Sequence, residues 1–342
     1  MELQLTWFVL WGVLWAVYFM LDGFVIGLQM ISAGIAKSDT ERRILINAVG
    51  PVWDGNEVWL ITAGGATFAA FPRTYALMFS YLYTALLLLL FALIIRGVSF
   101  EFRGKVDSAD WKASWDKAIV VTGFLLALLF GVAFGNIFRG LPMDAAGYHG
   151  TFVSLLNPYG LLTGALFLAL FALHGALYAA VKTTGELCRR AEALAAKLWP
   201  LVLVVAVAFL VYSKVGTKLL DNYFSMPALM IVPVIAVGSL LAVRFFMAKK
   251  AWYRAFAASC MTVLFVTFTG VAGLYPNLIP SSLDPVWSLT IYNSSSSAYT
   301  LKIMTVVAVI FVPIVIAYKI WVYRIFRARV TEDDVLKRSE AY

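Results

Sequence analysis

Charge is scarce in this chain: Asp, Glu, Lys and Arg make up only 13% of its 342 residues, against 62% hydrophobic. A soluble domain of that size keeps far more charge on its surface, so the composition excludes one and indicates an integral membrane protein. Cysteine is nearly absent. Cys188, in a basic loop, and Cys260, in an apolar run, form neither a disulfide pair nor a ligand cluster. Histidine is as rare: His149 lies in a polar loop and His174 in an apolar run, so no facing bis-histidine pair is available for haem, and Met and Cys show no suggestive arrangement. A nucleophile triad, a phosphate loop, a metal cluster and an internal repeat are also missing. The first apolar run lacks a basic flank before it and a small-residue cleavage site after it, so the N-terminus is expected to stay attached.

What is present is apolar length. A helix crosses the hydrocarbon core with about 20 apolar residues. That criterion predicts spans near 6–34, 51–71, 75–98, 117–138, 158–182, 197–216, 226–247, 254–274 and 300–324. The second is the weakest, because it carries Asp54, Asn56 and Glu57. Pro51 at a first helical position and the short link Pro72, Arg73, Thr74 support it nonetheless.

The basic residues test this division, since cytoplasmic loops and helix ends should carry them. Of the 27 Lys and Arg, only Arg73, Arg139, Lys214, Lys218 and Lys302 fall on one side of nine spans; the rest cluster in the alternate loops and the tail at 325–342. Nine spans with the N-terminus outside and the C-terminus in the cytoplasm explain that alternation, whereas eight or ten scramble it. The net charge of +8 is therefore topological. It points to anionic lipid headgroups as partners and not to nucleic acid. Connections are short, so residues 1–342 read as one membrane domain, all-α and polytopic. The longest external loop, 275–299, is expected to be irregular from its prolines and the low-complexity NSSSS.

Ionisable groups in such spans cost roughly 2.5–3.5 kcal/mol each, so the few present are candidates for function. Asp22 lies midway along the first span, with Tyr18 one turn earlier on the same face and Gly23 beside it. It is read either as a proton or quinone group or as a carboxyl that fixes helix packing. Asp54 and Glu57 are three apart and share a helical face. The helix dipole explains an acid at Asp54, while Glu57 lies a turn deeper among Val58, Trp59 and Leu60. Two neighbouring carboxyls can hold a proton between them, which makes the pair a candidate port for cytoplasmic protons. Arg96 ends the third span. It either snorkels to the interface or neutralises an acid or a cofactor propionate in a partner.

The segments DGFVIG, ERRILINAVGPVWDGNEVWLITAGGATFAAFP, FALIIRGVSFEFRGK, GVAFGNIFRGLP, LLNPYGLLTG, TTGEL and IPSSLDPVWSLTIYNSSSSAYTLKIMTVVAVIFVPIV, in this order over essentially the whole chain, resemble subunit II of the cytochrome bd quinol oxidases. The resemblance implies a haem-free subunit of a bacterial or archaeal terminal oxidase that takes electrons from quinol and reduces dioxygen to water. It implies two b haems, haem d and the quinol-oxidising loop in a partner, subunit I, with small single-helix subunits as further partners. The implied fold is two four-helix bundles plus a peripheral ninth helix. Apolar grooves between helices leave room for a structural quinone.

Carried over by position, Asp54 matches an acid on a proton route from the cytoplasm, Asp22 the first acid of a DGFD-type motif, and Arg96 an arginine that influences the haems across the interface. Trp53, Asn56 and Trp59 are grouped with Arg96 as interface or haem-proximal residues, the tryptophans packing and not reacting. Val25 departs from the pattern, because many relatives place a second aspartate there; a route needing both acids is broken unless Glu57 or water substitutes. On this reading the chain alone is not catalytic. The competing classes are a stand-alone proton-coupled secondary transporter and a purely structural scaffold.

Overall fold

The computed structural model describes residues 2–337 and is helical almost throughout. In chain order the helices are α1 Glu2–Ile35, α2 Asp39–Val49, α3 Trp53–Ala70, α4 Pro72–Tyr81, α5 Tyr83–Phe102, α6 Ala109–Arg139, α7 Pro158–Lys182, α8 Gly185–Gly216, α9 Asp221–Ser225, α10 Ile231–Ala248, α11 Trp252–Leu274, α12 Ala298–Ile325 and α13 Glu332–Lys337. Among the described residues, eight helices are long and apolar enough to cross a membrane: α1, α5, α6, α7, α8, α10, α11 and α12. With 18 residues that include Asp54, Asn56 and Glu57, α3 does not meet that mark. The chain is an all-α polytopic membrane protein.

Two groups of four helices form the body: α1, α3, α5 and α6, then α7, α8, α10 and α11. They meet where α1 and α6 pack on α7, and Gly27 and Gly175 bring the α1 and α7 backbones into contact. Small residues at a crossing let membrane helices approach closely enough for dispersion to hold them. Beside this crossing, Phe19 packs edge-on against Phe130, Phe134 and Phe167 with ring centroids 5.1–5.5 Å apart. Outside both groups lies α12, which touches α1 and α3 and buries only Leu301.

Several elements differ from the sequence expectation. The third span is two segments meeting at Leu82, because α4 and α5 abut there. Two helices run past their predicted starts, α6 beginning at Ala109 and α8 at Gly185; these extensions carry charges that lower hydropathy without opposing a helix. The amphipathic α2 was not predicted at all. It starts at Ser38, whose hydroxyl accepts the Glu41 N–H at 3.2 Å, a capping arrangement legible as Ser-x-x-Glu. The loop 275–299 is built, not irregular: β3 (Asn277–Ile279) pairs with β4 (Leu289–Thr290), and Leu141 bonds to both Pro280 and Ser282. A shorter hairpin, β1 (Met143–Asp144) with β2 (Gly147–Tyr148), lies beside it in space, the Met143 carbonyl accepting from the Ser281 hydroxyl at 2.6 Å. The serines of NSSSS have individual partners. Ser296 donates to the carbonyls of Ala69 and Ala70 at the end of α3, and Ser297 caps α12. The segment predicted as a tail folds back as far as it is described: Lys182 Nζ donates to the Phe326 and Ala328 carbonyls, and Val335 is buried. Residues 338–342 lie outside the described residues.

At the basic end α2 is pinned by charge. Arg103 donates to Asp116 at 2.6 Å and to Asp39 at 2.7 Å. Burial alone pushes the Asp39 carboxyl up, but the Arg103 hydrogen bond and charge outweigh it and hold the carboxyl below its ordinary value. A lowered folded value means the contribution is present above the unfolded carboxylate range near pH ~4 and is lost as pH falls through the folded value. Amide exchange protection in α2 is therefore expected to hold above about pH 4 and to decline below it. In Asp39→Asn that decline shrinks; an unchanged profile would show that the contact contributes nothing.

Candidate functional site

The intramembrane acids converge on Arg96. Its Nη1 donates to Asp22 Oδ2 at 2.7 Å and its Nη2 to Asp22 Oδ1 at 2.6 Å, and both side chains are fully buried. This is the forked geometry in which a guanidinium binds a carboxylate most strongly. Glu57 Oε1 lies 3.5 Å from Arg96 Nη2, an ion-pair distance without a hydrogen bond. Trp53 covers the guanidinium, its ring centroid 6.0 Å from Arg96 Cζ, and itself packs on Phe100. Tyr18 is wholly buried beside Asp22 on α1. Three helices thus supply the cluster: α1 gives Asp22 and Tyr18, α3 gives Trp53 and Glu57, and α5 gives Arg96.

This geometry corrects two expectations. Arg96 does not snorkel: it is fully buried, and its acid is Asp22 of the same chain. Asp54 and Glu57 lie near each other on α3, yet they serve different surroundings. Glu57 turns toward Arg96, whereas Asp54 is exposed in a polar cleft of about 320 Å³ with Glu101, Tyr318 and Lys319. The acids that share a cation are therefore Glu57 and Asp22. Two carboxylates around one guanidinium form a set that is neutral when it holds one proton, and burial penalises any other net charge.

Asn56 is fully buried. Its Nδ2 donates to the Leu21 carbonyl at 2.7 Å, and its Oδ1 accepts from the Tyr323 hydroxyl at 3.0 Å, with Lys319 Nζ at 3.5 Å. It joins α1, α3 and α12 inside the chain and presents no contact surface. Trp59 is buried as well. Val25 packs in the core with no exposed area. Lys319, Tyr323 and Glu101 were not singled out from sequence. The only signal was the spacing of Lys319 and Tyr323, four apart at the basic end of the last span, which the topological reading absorbed.

The two histidines have different surroundings. His174 places Nδ1 2.7 Å from Ser259 Oγ and Nε2 3.0 Å from the Met20 carbonyl, and it stacks on Phe256. His149 sets Nε2 2.8 Å from Asp144. Among the described residues, no group of three or more His, Cys, Asp or Glu could hold a metal ion.

The chain matches the family model described as "Cytochrome bd terminal oxidase subunit II" over residues 3–326. It is 39% identical to a "Probable cytochrome oxidase subunit 2" of Haemophilus influenzae, covering 99% of this chain and 98% of that protein. It is 36% identical to the "Cytochrome bd-I ubiquinol oxidase subunit 2" of Escherichia coli, with the same coverage. The "Cytochrome bd ubiquinol oxidase subunit 2" of Bacillus subtilis is also 36% identical, over 96% of this chain and 97% of that protein. In fold the chain resembles a chain of the bd oxidase from Geobacillus thermodenitrificans, with TM-score 0.79 at 18% identity over 95% of this chain and 99% of that one. With the family model matched almost end to end, the chain belongs to the cytochrome bd terminal oxidase subunit II family.

Proposed function

We propose that this chain is the haem-free subunit of a cytochrome bd-type terminal oxidase in a prokaryotic inner membrane, and that it carries protons toward a haem-bearing subunit I. Membership in the family supports the complex, its quinol:oxygen oxidoreductase activity and the haems of the partner. The engagement of both His174 ring nitrogens supports assigning the chain's own residues to protons, oxygen access and assembly. The basic-residue pattern supports nine spans, with α3 included, the N-terminus outside and the C-terminus cytoplasmic.

The observation that carries the proton role is the sequence of environments along the first two turns of α3. Asp54 opens to the cleft at the basic, cytoplasmic end; Glu57 is half-buried one turn deeper; Asp22 and Arg96 are sealed beyond it. Reduction of dioxygen to water consumes one proton per electron. Asp54 takes a proton at the cleft, Glu57 receives it, and the shared guanidinium keeps the inner set neutral as the proton arrives. Consumption inside and release of quinol protons outside would build a membrane potential without a pump. The stand-alone transporter reading has no observation in its favour, since the deepest acid is committed to Arg96.

Asp54→Asn is expected to slow quinol-driven oxygen consumption by about tenfold or more, with the haem content of the purified complex unchanged. Full turnover in a fully loaded complex would remove Asp54 from the route. Collapse of haem loading would instead assign it to assembly.

A further inference from the structure

Asn56 stands between the two acids of α3 and is fully buried, yet it has no ionisable group. Its amide spans three helices. Nδ2 donates to the Leu21 carbonyl of α1 at 2.7 Å, and Oδ1 accepts from the Tyr323 hydroxyl of α12 at 3.0 Å, with the Lys319 ammonium 3.5 Å away. These partners leave the amide one orientation. A backbone carbonyl only accepts and an ammonium only donates, so turning the amide over would set acceptor against acceptor at Leu21 and donor against donor at Lys319. The neighbours in sequence give the bond its consequence. Asn56 precedes Glu57 and Leu21 precedes Asp22, and Glu57 and Asp22 are the acids that share Arg96. The Asn56 bond therefore ties α3 to α1 one residue from each acid. Glu57 Oε1 has no hydrogen bond of its own to hold that register.

From this arrangement we infer that Asn56 is a positioning residue of the proton route: it sets the register of α3 on α1 in which Glu57 and Asp22 meet one guanidinium, and Tyr323 and Lys319 hold its amide for that bond. Helix backbones pair internally, so a register between two helices has to be fixed by side chains, and a displacement of ~1 Å between reacting groups lowers a rate by up to about 100-fold. The peripheral helix thereby takes part in the site. It buries only Leu301. At its outer end Trp7 Nε1 donates to the Leu301 carbonyl at 3.2 Å, and at its inner end Tyr323 and Lys319 meet Asn56. The inference rests on the proton role proposed above, because it assigns to Asn56 the geometry of a transfer that Asp54 begins.

The test uses the whole oxidase complex, purified in mild detergent, with quinol-driven oxygen consumption, haem content and the solvent deuterium isotope effect measured together. Asn56→Leu keeps the branched shape and removes both ends of the amide. It is expected to lower kcat by up to about 100-fold, with the KM for quinol and the haem content unchanged, and to raise the isotope effect because proton delivery becomes rate-limiting. Tyr323→Phe removes one hydrogen bond and little packing, and is expected to lower kcat by about fivefold with the same signature; where Asn56→Leu loses haem, this variant decides. In a Glu57→Gln background Asn56→Leu should add little, since the acid it positions is already gone. Full turnover in both variants, an isotope effect that does not rise, or losses that multiply with Glu57→Gln would each overturn the assignment. A slow Asp54→Asn complex beside a fully active Asn56→Leu complex refutes the positioning role alone, whereas full turnover in Asp54→Asn removes the route on which it rests.

Discussion

Arg96→Met is expected to cost about 3–5 kcal/mol, because it strands the fully buried Asp22 carboxylate and takes the cation from half-buried Glu57. The reciprocal change, Asp22→Asn, is expected to cost less. It leaves Arg96 with Glu57 at 3.5 Å as a remaining counter-ion, whereas Arg96→Met leaves two acids and no cation. The double variant, Asp22→Asn with Arg96→Met, should recover much of the loss, since removing both partners takes away the desolvation penalty with the attraction. Thermal unfolding of the purified complex, with haem content from its visible spectrum, measures all three. Additive effects would show that the two side chains do not act as a pair. An Arg96→Met complex as stable as wild type would show that Arg96 is not sealed in the way described.

Gly27→Ala is the second large effect. A Cβ at residue 27 would stand 1.7 Å from the Phe171 carbonyl oxygen and 2.5 Å from its carbon, where ordinary contact is 3.4–4 Å. Those are backbone atoms, so no rotamer change relieves the clash and α1 must move away from α7. Overpacking typically costs 1–3 kcal/mol, and the expected loss lies at or above ~3 kcal/mol because the crossing joins the two groups of helices. Gly175→Ala should behave alike, its Cβ falling 2.3 Å from Leu28 N. Gly34→Ala and Gly64→Ala are the controls. Neither Cβ meets an atom within 4 Å, so removing a helical glycine there should be neutral or stabilising by ~0.5–1 kcal/mol. Equal stability of Gly27→Ala and Gly34→Ala would refute the close crossing.

Legibility followed hydropathy. The long apolar runs were legible as helices, because a membrane-spanning helix must satisfy its backbone internally and clothe itself in apolar side chains. What that signal does not report was missed. α2 and the starts of α6 and α8 are amphipathic or charged, so they register as loop on an apolar criterion, although Ser38 and Glu41 marked the start of α2. The loop 275–299 suggested irregular structure from composition, yet its serines meet particular carbonyls and hydroxyls across the chain, such as Ser296 on Ala70.

At the site, Asp22, Glu57 and Arg96 were each found as a charge out of place, and Asp54 as an acid at a helix start. Helical spacing is a statement about one element. It grouped Asp54 with Glu57 but could not show that Glu57 turns to an arginine on α5, or that Lys319 and Tyr323 arrive from α12.

The sequence by itself determined that this is an all-α membrane protein, which residues carry its buried charge and, through a resemblance spanning the chain, its family. Tertiary structure alone decided the partnerships: Asp22 with Arg96 across 74 residues of chain, Asp54 facing a cleft, and Asn56 bonded to Tyr323 of α12. The reason is physical. Apolar length and helical period are local properties, whereas a bidentate ion pair exists only once three helices have packed and fixed the directions of their side chains.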